Sequence, residues 1–295
     1  MLLMGDRLSE RLGIFLLKKG FTIKSLSRCC FDIIARKGSR ILLIKVLSDA
    51  NAISDEYAEQ MKSISSYMQA SPFIVAETAG HDLQDNVVYS RYGVYTLSFS
   101  TFRNSIDNKL PYISSTKAGL TARIAGQRFR QSVDDAGISS SDLSRKIGVS
   151  RRMVSNYENG SQVTMQKAEK IYDIFGHSVF EKIDLFSQHP AVQLPGSSAK
   201  ETLITRKYSE LGFDAAEARK VPFNIIARKD EEIILTGIGD KVNPNTTSVS
   251  RLLDAENLVI FNSKRPKEKN IPSLTKQEFM EFEESDELMK FLKEY

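Results

Sequence analysis

The stretch that decides the fold is Ile138-Ser-Ser-Ser-Asp-Leu-Ser-Arg-Lys-Ile-Gly-Val-Ser-Arg-Arg-Met-Val-Ser-Asn-Tyr-Glu-Asn-Gly160. It reads as two short helices joined by a tight turn. Ser139 or Ser140 is placed to cap the first helix, whose inner face carries Leu143 and Ile147. Gly148 ends it, because a sharp turn between helices needs positive φ, which glycine adopts at little cost. Ser150 caps the second helix. On it Val154 and Tyr157 point inward, while Arg151, Arg152, Ser155 and Asn156 fill the outer rows. Such a pair of helices can push the second into the major groove of DNA.

The flanks extend this unit. A helix is expected over about Ile124 to Ala136, with Phe129 and Val133 inward and Gly137 at its end. Thr164 opens a further helix with Ala168, Ile171 and Phe175 inward. Residues 117–186 therefore read as an all-helical domain. Charge follows the same segment. Residues 117–170 hold ten Lys/Arg against five Asp/Glu, a surplus of five in a chain of net charge +4. The positive excess sits where a DNA footprint would need it.

The outer residues suit base and backbone chemistry. Arg151 or Arg152 can donate bidentately to guanine O6 and N7, and Asn156 can read adenine. Ser140, Ser141 and Lys146 are placed for backbone contacts, which orient without specifying. The helix that Ser150 caps offers its free amides to phosphate.

This segment resembles the phage-repressor helix-turn-helix family, of the lambda repressor and Cro type. The match runs through Leu143, Gly148, Val149-Ser150, Val154, Tyr157, Glu158, Asn159 and Gly160. The resemblance implies a five-helix DNA-binding domain whose base-reading residues are Arg151, Arg152 and Asn156. Ser144 stands where that family has a small alanine. Val133 stands where it has an arginine that pairs with the glutamate matched by Glu158, which leaves Arg130 as the candidate partner.

An internal repeat surrounds the helical unit. Phe31-Asp-Ile-Ile-Ala-Arg-Lys-Gly-Ser-Arg-Ile-Leu42 recurs as Phe223-Asn-Ile-Ile-Ala-Arg-Lys-Asp-Glu-Glu-Ile-Ile234, seven of twelve positions being identical. The same offset of 192 aligns Gly20-Phe21 with Gly212-Phe213. Each copy reads as an α/β unit. In the first, Tyr57, Met61, Ile64 and Met68 form a helical stripe before the strand Phe73–Ala76, and two strands near Val87–Tyr89 and Val94–Leu97 extend that copy only. In the second, Val249 to Leu253 leads to the strand Leu258–Phe261. The expected organisation is an α/β domain at 1–116, the helical domain at 117–186, a Pro/Gly/Ser linker at 187–199 and a second α/β domain at 200–295. Thr275-Lys-Gln-Glu278 opens the helical tail with a capping-box pattern.

The order of strands, with Asp32 on one and Lys45 on the next, resembles the restriction-endonuclease core. That core needs a second acid two residues before the lysine, and here the position is Leu43. In the second copy the acid is replaced by Asn224 and the lysine by Gly237. Both copies lack groups that would hold Mg²⁺. The expectation is no catalytic residue, no metal and no cofactor, with a metal-dependent DNA nuclease as the alternative. The paired turns Arg36-Lys37 and Arg228-Lys229 are either further DNA contacts or solvated hairpin tips.

The remaining composition narrows the class. The chain has 295 residues, 41% hydrophobic and 26% charged, enough for two or three domains. No apolar run approaches the roughly 20 residues of a membrane span. The start lacks the basic-then-apolar order of a signal peptide. The two cysteines, Cys29 and Cys30, are adjacent, so a disulfide framework is absent and a reducing interior is expected. His81, His177 and His189 are scattered without metal-ligand spacing. The whole-chain layout is similar to a group of archaeal HTH-type transcriptional regulators. The combined reading is a cytoplasmic, nucleoid-associated regulator that binds double-stranded DNA, as a homodimer on a palindromic site.

Overall fold

The computed structural model of the protein describes residues 4–187 and 202–295, so nearly all of the expected linker falls outside them. The first stretch is α1 (Met4–Lys18), β1 (Thr22–Ser25), β2 (Ile33–Lys37), β3 (Arg40–Asp49), α2 (Asp55–Tyr67) and β4 (Ser71–Thr78). Then come β5 (Val87–Arg91), β6 (Val94–Leu97), α3 (Phe99–Ile106), β7 (Ile113–Thr116) and β8 (Gly119–Arg123). The helical segment follows as α4 (Gly126–Asp135), α5 (Ser140–Ile147), α6 (Arg151–Glu158), β9 (Gln162–Thr164) and α7 (Met165–Phe175). The last stretch is α8 (Leu203–Glu210), β10 (Asp214–Glu217), β11 (Ile225–Lys229), β12 (Glu232–Ile238), α9 (Pro244–Leu253), β13 (Glu256–Phe261), β14 (Ser273–Thr275), α10 (Lys276–Glu281) and α11 (Ser285–Lys293).

These elements form two compact units. One gathers Met1–Ile74, Tyr92–Val94 and Phe186–Tyr295; the other gathers Val75–Arg91 and Tyr95–Leu185. The first repeat up to Ile74 is grouped with the second repeat in the first unit, while Val75–Arg91 and the residues from Tyr95 onward fall in the second.

The repeats share strand register as well as residues. Thr22 faces Arg36 as Asp214 faces Arg228, and Ile33 faces Ile44 as Ile225 faces Thr236. In the second repeat the antiparallel β10-β11-β12 continue into β13 and β14, both parallel, through the crossover helix α9. This repeat therefore has a fifth strand too. Ser273-Leu274-Thr275 is too short to show periodicity, which is why sequence gave extra strands to the first copy only. The capping box at Thr275 forms: its hydroxyl accepts the Glu278 amide, and the Glu278 carboxylate accepts the Thr275 amide.

What binds the repeats is a reciprocal clasp. Arg36 of the first repeat donates to the Leu252 carbonyl at the end of α9, at 2.9 Å, and pairs with Asp254 at 2.6 Å. Arg228, its equivalent, donates to the Tyr67 carbonyl at the end of α2, at 2.9 Å, and Gln69 turns its amide oxygen to the same guanidinium. Each arginine fills the orphan carbonyls of the other repeat's helix. Each adjacent lysine is also held. Lys37 donates to the Lys19 carbonyl and Lys229 to the Ser285 hydroxyl. The basic turns therefore carry structural contacts within the chain.

In the second unit β5 pairs in parallel with β7, and β7, β8 and β9 form an antiparallel set. Residues 117–186 are therefore not all-helical. They carry β8 and β9, four α-helices and a 3-10 turn at His177–Val179, in place of five helices. Gln162-Val163-Thr164 alternates exposed, buried, exposed, a strand period too short to notice beside the helices. α4 starts at Gly126, and the amides of Ile124 and Ala125 just ahead of it donate to the Ser161 and Val179 carbonyls. The core of this part is Phe129, Val133, Leu143, Ile147, Val154, Tyr157, Val163 and Ile171, all buried. Phe129 meets the edges of both Tyr157 and Phe175.

Candidate nucleic-acid interface

The α5–α6 corner is fixed from its caps inward. Ser139 accepts the Asp142 amide at 3.1 Å, which selects Ser139 over Ser140 as the cap. The Asp142 carboxyl is held below its ordinary range by the Ser139 hydroxyl and the Arg145 guanidinium. Gly148 takes φ 73 in the left-handed region, as the turn requires. Its amide and that of Val149 both donate to the Ser144 carbonyl. The Lys167 ammonium, from α7, then reaches the Gly148 carbonyl at 2.9 Å and the Ile147 carbonyl at 3.4 Å. This lysine stabilises the negative end of α5, a role its sequence position did not suggest. Ser144 is buried with its hydroxyl on the Ser141 carbonyl, so it substitutes for alanine without an orphan polar group.

α6 begins at the Ser150 cap, which accepts the Met153 amide at 3.2 Å. Val154 and Tyr157 are buried; Arg151, Arg152, Ser155 and Asn156 are exposed. Eight residues make a helix about 12 Å long, comparable to the width of the major groove. Ser140, Lys146 and Ser150 are exposed and Ser141 is half-buried. Arg151 donates to the Ser141 hydroxyl at 2.8 Å, tying the starts of α5 and α6 together. Arg152 has no such tie, and Asn156 only touches the Met153 sulfur at 3.6 Å. The residues expected at the DNA therefore fall on the outer side of one corner, as fully or partly solvated groups.

The exit of α6 is held by close approach. A Cβ on Gly126 would lie 2.7 Å from the Gly160 nitrogen and 2.9 Å from the Glu158 carbonyl carbon. Only glycine lets α4 start there. Arg130 reaches Glu158 at its backbone carbonyl, 3.5 Å away, and not at its carboxylate. The ion pair for which Arg130 was the candidate is replaced by this backbone contact.

The nuclease-like position has a different character. The Asp32 carboxylate is committed twice: one oxygen to the Lys45 ammonium at 2.9 Å, the other to the Val46 amide at 2.8 Å. Lys45 also donates to the Cys29 carbonyl and lies over the Tyr57 ring. In the second repeat Asn224 accepts the Ile238 amide at the same 2.8 Å. Asp32 and Asn224 thus do one job, joining two strands, and only Asp32 needs a cation. Leu43, at the second acid position, is fully buried in the core. A divalent cation does not fit this donor set: one carboxylate is present and both its oxygens are occupied. Among the described residues no three His, Cys, Asp or Glu side chains converge as a metal site, and no helix is long and apolar enough to cross a membrane.

Two segments of the chain match known families. Residues 6–111 match the family described as PD-(D/E)XK superfamily domain, and residues 129–180 match a helix-turn-helix family. Across nearly the whole chain, the protein is similar to a "Putative HTH-type transcriptional regulatory protein" of Archaeoglobus fulgidus, 30% identical over 97% of each chain. A protein of the same description from Thermococcus gammatolerans is 30% identical over 89% of this chain and 87% of its own length. A third, from Methanosarcina mazei, is 30% identical over 90% of this chain and 88% of its own. No solved structure matches.

Proposed function

The chain belongs to the family of HTH-type transcriptional regulatory proteins, and on that premise we propose that it regulates transcription by reading DNA with α6. The observation that carries this reading is the solvated corner of α5 and α6, capped, glycine-turned and rich in donors. Arg152 and Asn156 read base edges, Arg151 and Ser155 flank them, and Ser140, Ser141, Lys146 and Ser150 hold phosphates. On a two-fold operator the recognition helices of two chains would sit about 34 Å apart.

Selection of preferred sequences from a random duplex pool tests it. Arg152→Ala and Asn156→Ala relax the preference at single positions, each by about 1–3 kcal/mol. Lys146→Ala weakens binding to all sequences alike and lowers the salt slope by about one. Wild-type protein that enriches no sequence, or binds without salt dependence, refutes the reading.

The α/β unit supports a second reading, a Mg²⁺-dependent nuclease, through its family match and the Asp32–Lys45 pair. We favour a non-catalytic role, because the second acid is a core leucine. Metal-dependent cutting of plasmid that Asp32→Ala abolishes would reverse that preference.

A further inference from the structure

The second repeat carries a basic surface that α6 does not use. Two loops build it, residues 239–243 and 262–272, which leave the carboxyl ends of the parallel strands β12 and β13. Together they hold five Lys/Arg (Lys241, Lys264, Arg265, Lys267 and Lys269) against two acids, Asp240 and Glu268. That surplus of three compares with +4 for the whole chain. The loops are tied to each other. Asp240 accepts the Asn262 amide at 2.8 Å and the Ser263 amide at 3.0 Å, and the Gly239 amide donates to the Ile260 carbonyl at 3.0 Å. Arg265 is spent within the longer loop's own end, donating to the Ser273 carbonyl at 2.8 Å and the Ser273 hydroxyl at 3.2 Å. The four lysines are left. All are exposed, and among the described residues none is in an ion pair with an acid.

The repeat does not impose this charge. In the first copy Asp49 stands at the offset position of Lys241, and the residues that follow β4, 79–86, include Asp82 and Asp85 and no Lys or Arg. Like charges gathered on two joined loops repel one another until an anion meets them. Residues 262–272 contain no aromatic side chain, so they offer no platform for stacking unpaired bases, and ammonium groups meet phosphates as point charges. We propose that Lys241, Lys264, Lys267 and Lys269 form a second nucleic-acid surface, which holds the phosphate backbone of duplex DNA without regard to sequence. Open α/β sheets bind ligands at the carboxyl ends of their strands, where these loops lie. Contacts of this kind supply non-specific affinity and let a protein slide along DNA. The choice of DNA among polyanions rests on the function proposed above, while the surface itself does not involve α6.

Binding of the full-length protein to a labelled duplex of arbitrary sequence, measured over a salt series, tests it. Lys264→Gln, Lys267→Gln and Lys269→Gln combined weaken binding at low salt more than about tenfold and lower the salt slope by about two to three. The control removes the same charge elsewhere in the same unit, at three other exposed lysines: Lys18→Gln, Lys276→Gln and Lys290→Gln. It keeps the slope within about one of wild type. Both variants melt as wild type does, because all six side chains are solvated. An unchanged slope in the loop variant, or an equal loss in the control, overturns the proposal. So does a loop variant that loses binding to single-stranded RNA or to anionic lipid vesicles and keeps its binding to the duplex. Sequence selection from the random pool reports on α6 alone: wild type that enriches no sequence, yet loses its salt slope in the loop variant, refutes the α6 reading and upholds this one.

Discussion

Gly126→Ala separates two forces that act in opposite directions. Gly126 is the first residue of α4, with Ala125 as its cap. Helix propensity alone makes alanine the better residue by about 0.5–1 kcal/mol. The surroundings oppose this. The nearest atoms to an added Cβ are the Glu158 carbonyl oxygen, the Gly160 nitrogen at 2.7 Å and the Glu158 carbonyl carbon at 2.9 Å. All belong to backbone, so no flexible side chain can swing away, and either α4 or the end of α6 must move. Overpacking of this kind costs typically about 1–3 kcal/mol, and rigid backbone on every side puts this site at the upper end. Subtracting the propensity gain leaves about 2 kcal/mol of destabilisation. For a unit of this size that lowers the melting temperature by roughly 8–16 °C. Thermal unfolding followed by circular dichroism measures it, with Gln127→Ala, exposed on the same turn, as the neutral control. Site-selected DNA binding measured below the transition should weaken as well, since the displaced atoms end the recognition helix. If Gly126→Ala matches or exceeds wild-type stability, α4 does not pack on the exit of α6 in this way.

Further outcomes follow from the same contacts. Arg36→Ala and Arg228→Ala each leave helix-end carbonyls without their charged donor; each is expected to cost about 1–2 kcal/mol in denaturant unfolding, and near-zero losses for both would refute the reciprocal clasp. Asp32→Asn keeps the acceptor for the Val46 amide, as Asn224 does for Ile238, so it should cost about 1 kcal/mol less than Asp32→Ala; equal losses would contradict a strand-joining role. Burial raises both thiols, Cys30 to about 12, with Cys29 and Cys30 adjacent. The folded chain therefore keeps protons that the unfolded chain releases above its ordinary thiol pKa, and stability falls as pH rises from about 8.5. A thiol reagent at pH 8 should react slowly with native protein and quickly in denaturant; rapid native reaction would show these thiols to be exposed.

The helix-turn-helix was legible because its signals are local. Serine caps, a glycine that must turn left-handed and apolar pairs at helical spacing need only neighbours in sequence, and Ser139, Gly148, Ser150, Val154 and Tyr157 all took their expected places. Contacts closed over long separations were not legible. Lys167 on the Gly148 carbonyl is nineteen residues away, and Arg36 on Leu252 is separated by 216. The missed strands include β9 and β14, three residues each, and β7 and β8, four and five residues, all too short for a period that could compete with adjacent helices. The basic turns were ambiguous for the same reason: an Arg-Lys pair reads alike whether it meets phosphate or a helix end.

The clasp also explains why two diverged repeats persist in one chain. Within its own repeat each arginine makes a local contact, Arg36 to the Gly38 carbonyl and Arg228 to the Asp230 carbonyl. Its long-range contact lies in the other copy. A single repeat would leave both an unpaired arginine and an uncapped helix, so the stable object is the pair. That constraint acts on the turns and not on the nuclease-like position. There the second repeat has lost the charge of Asp32 and the lysine of Lys45 together, as Asn224 and Gly237, and kept only the strand-joining acceptor. Losing one member alone would strand a partly buried charge; losing both leaves neutral groups. The arginines that hold the repeats together are the same in both copies, whereas the position resembling a nuclease centre differs between them.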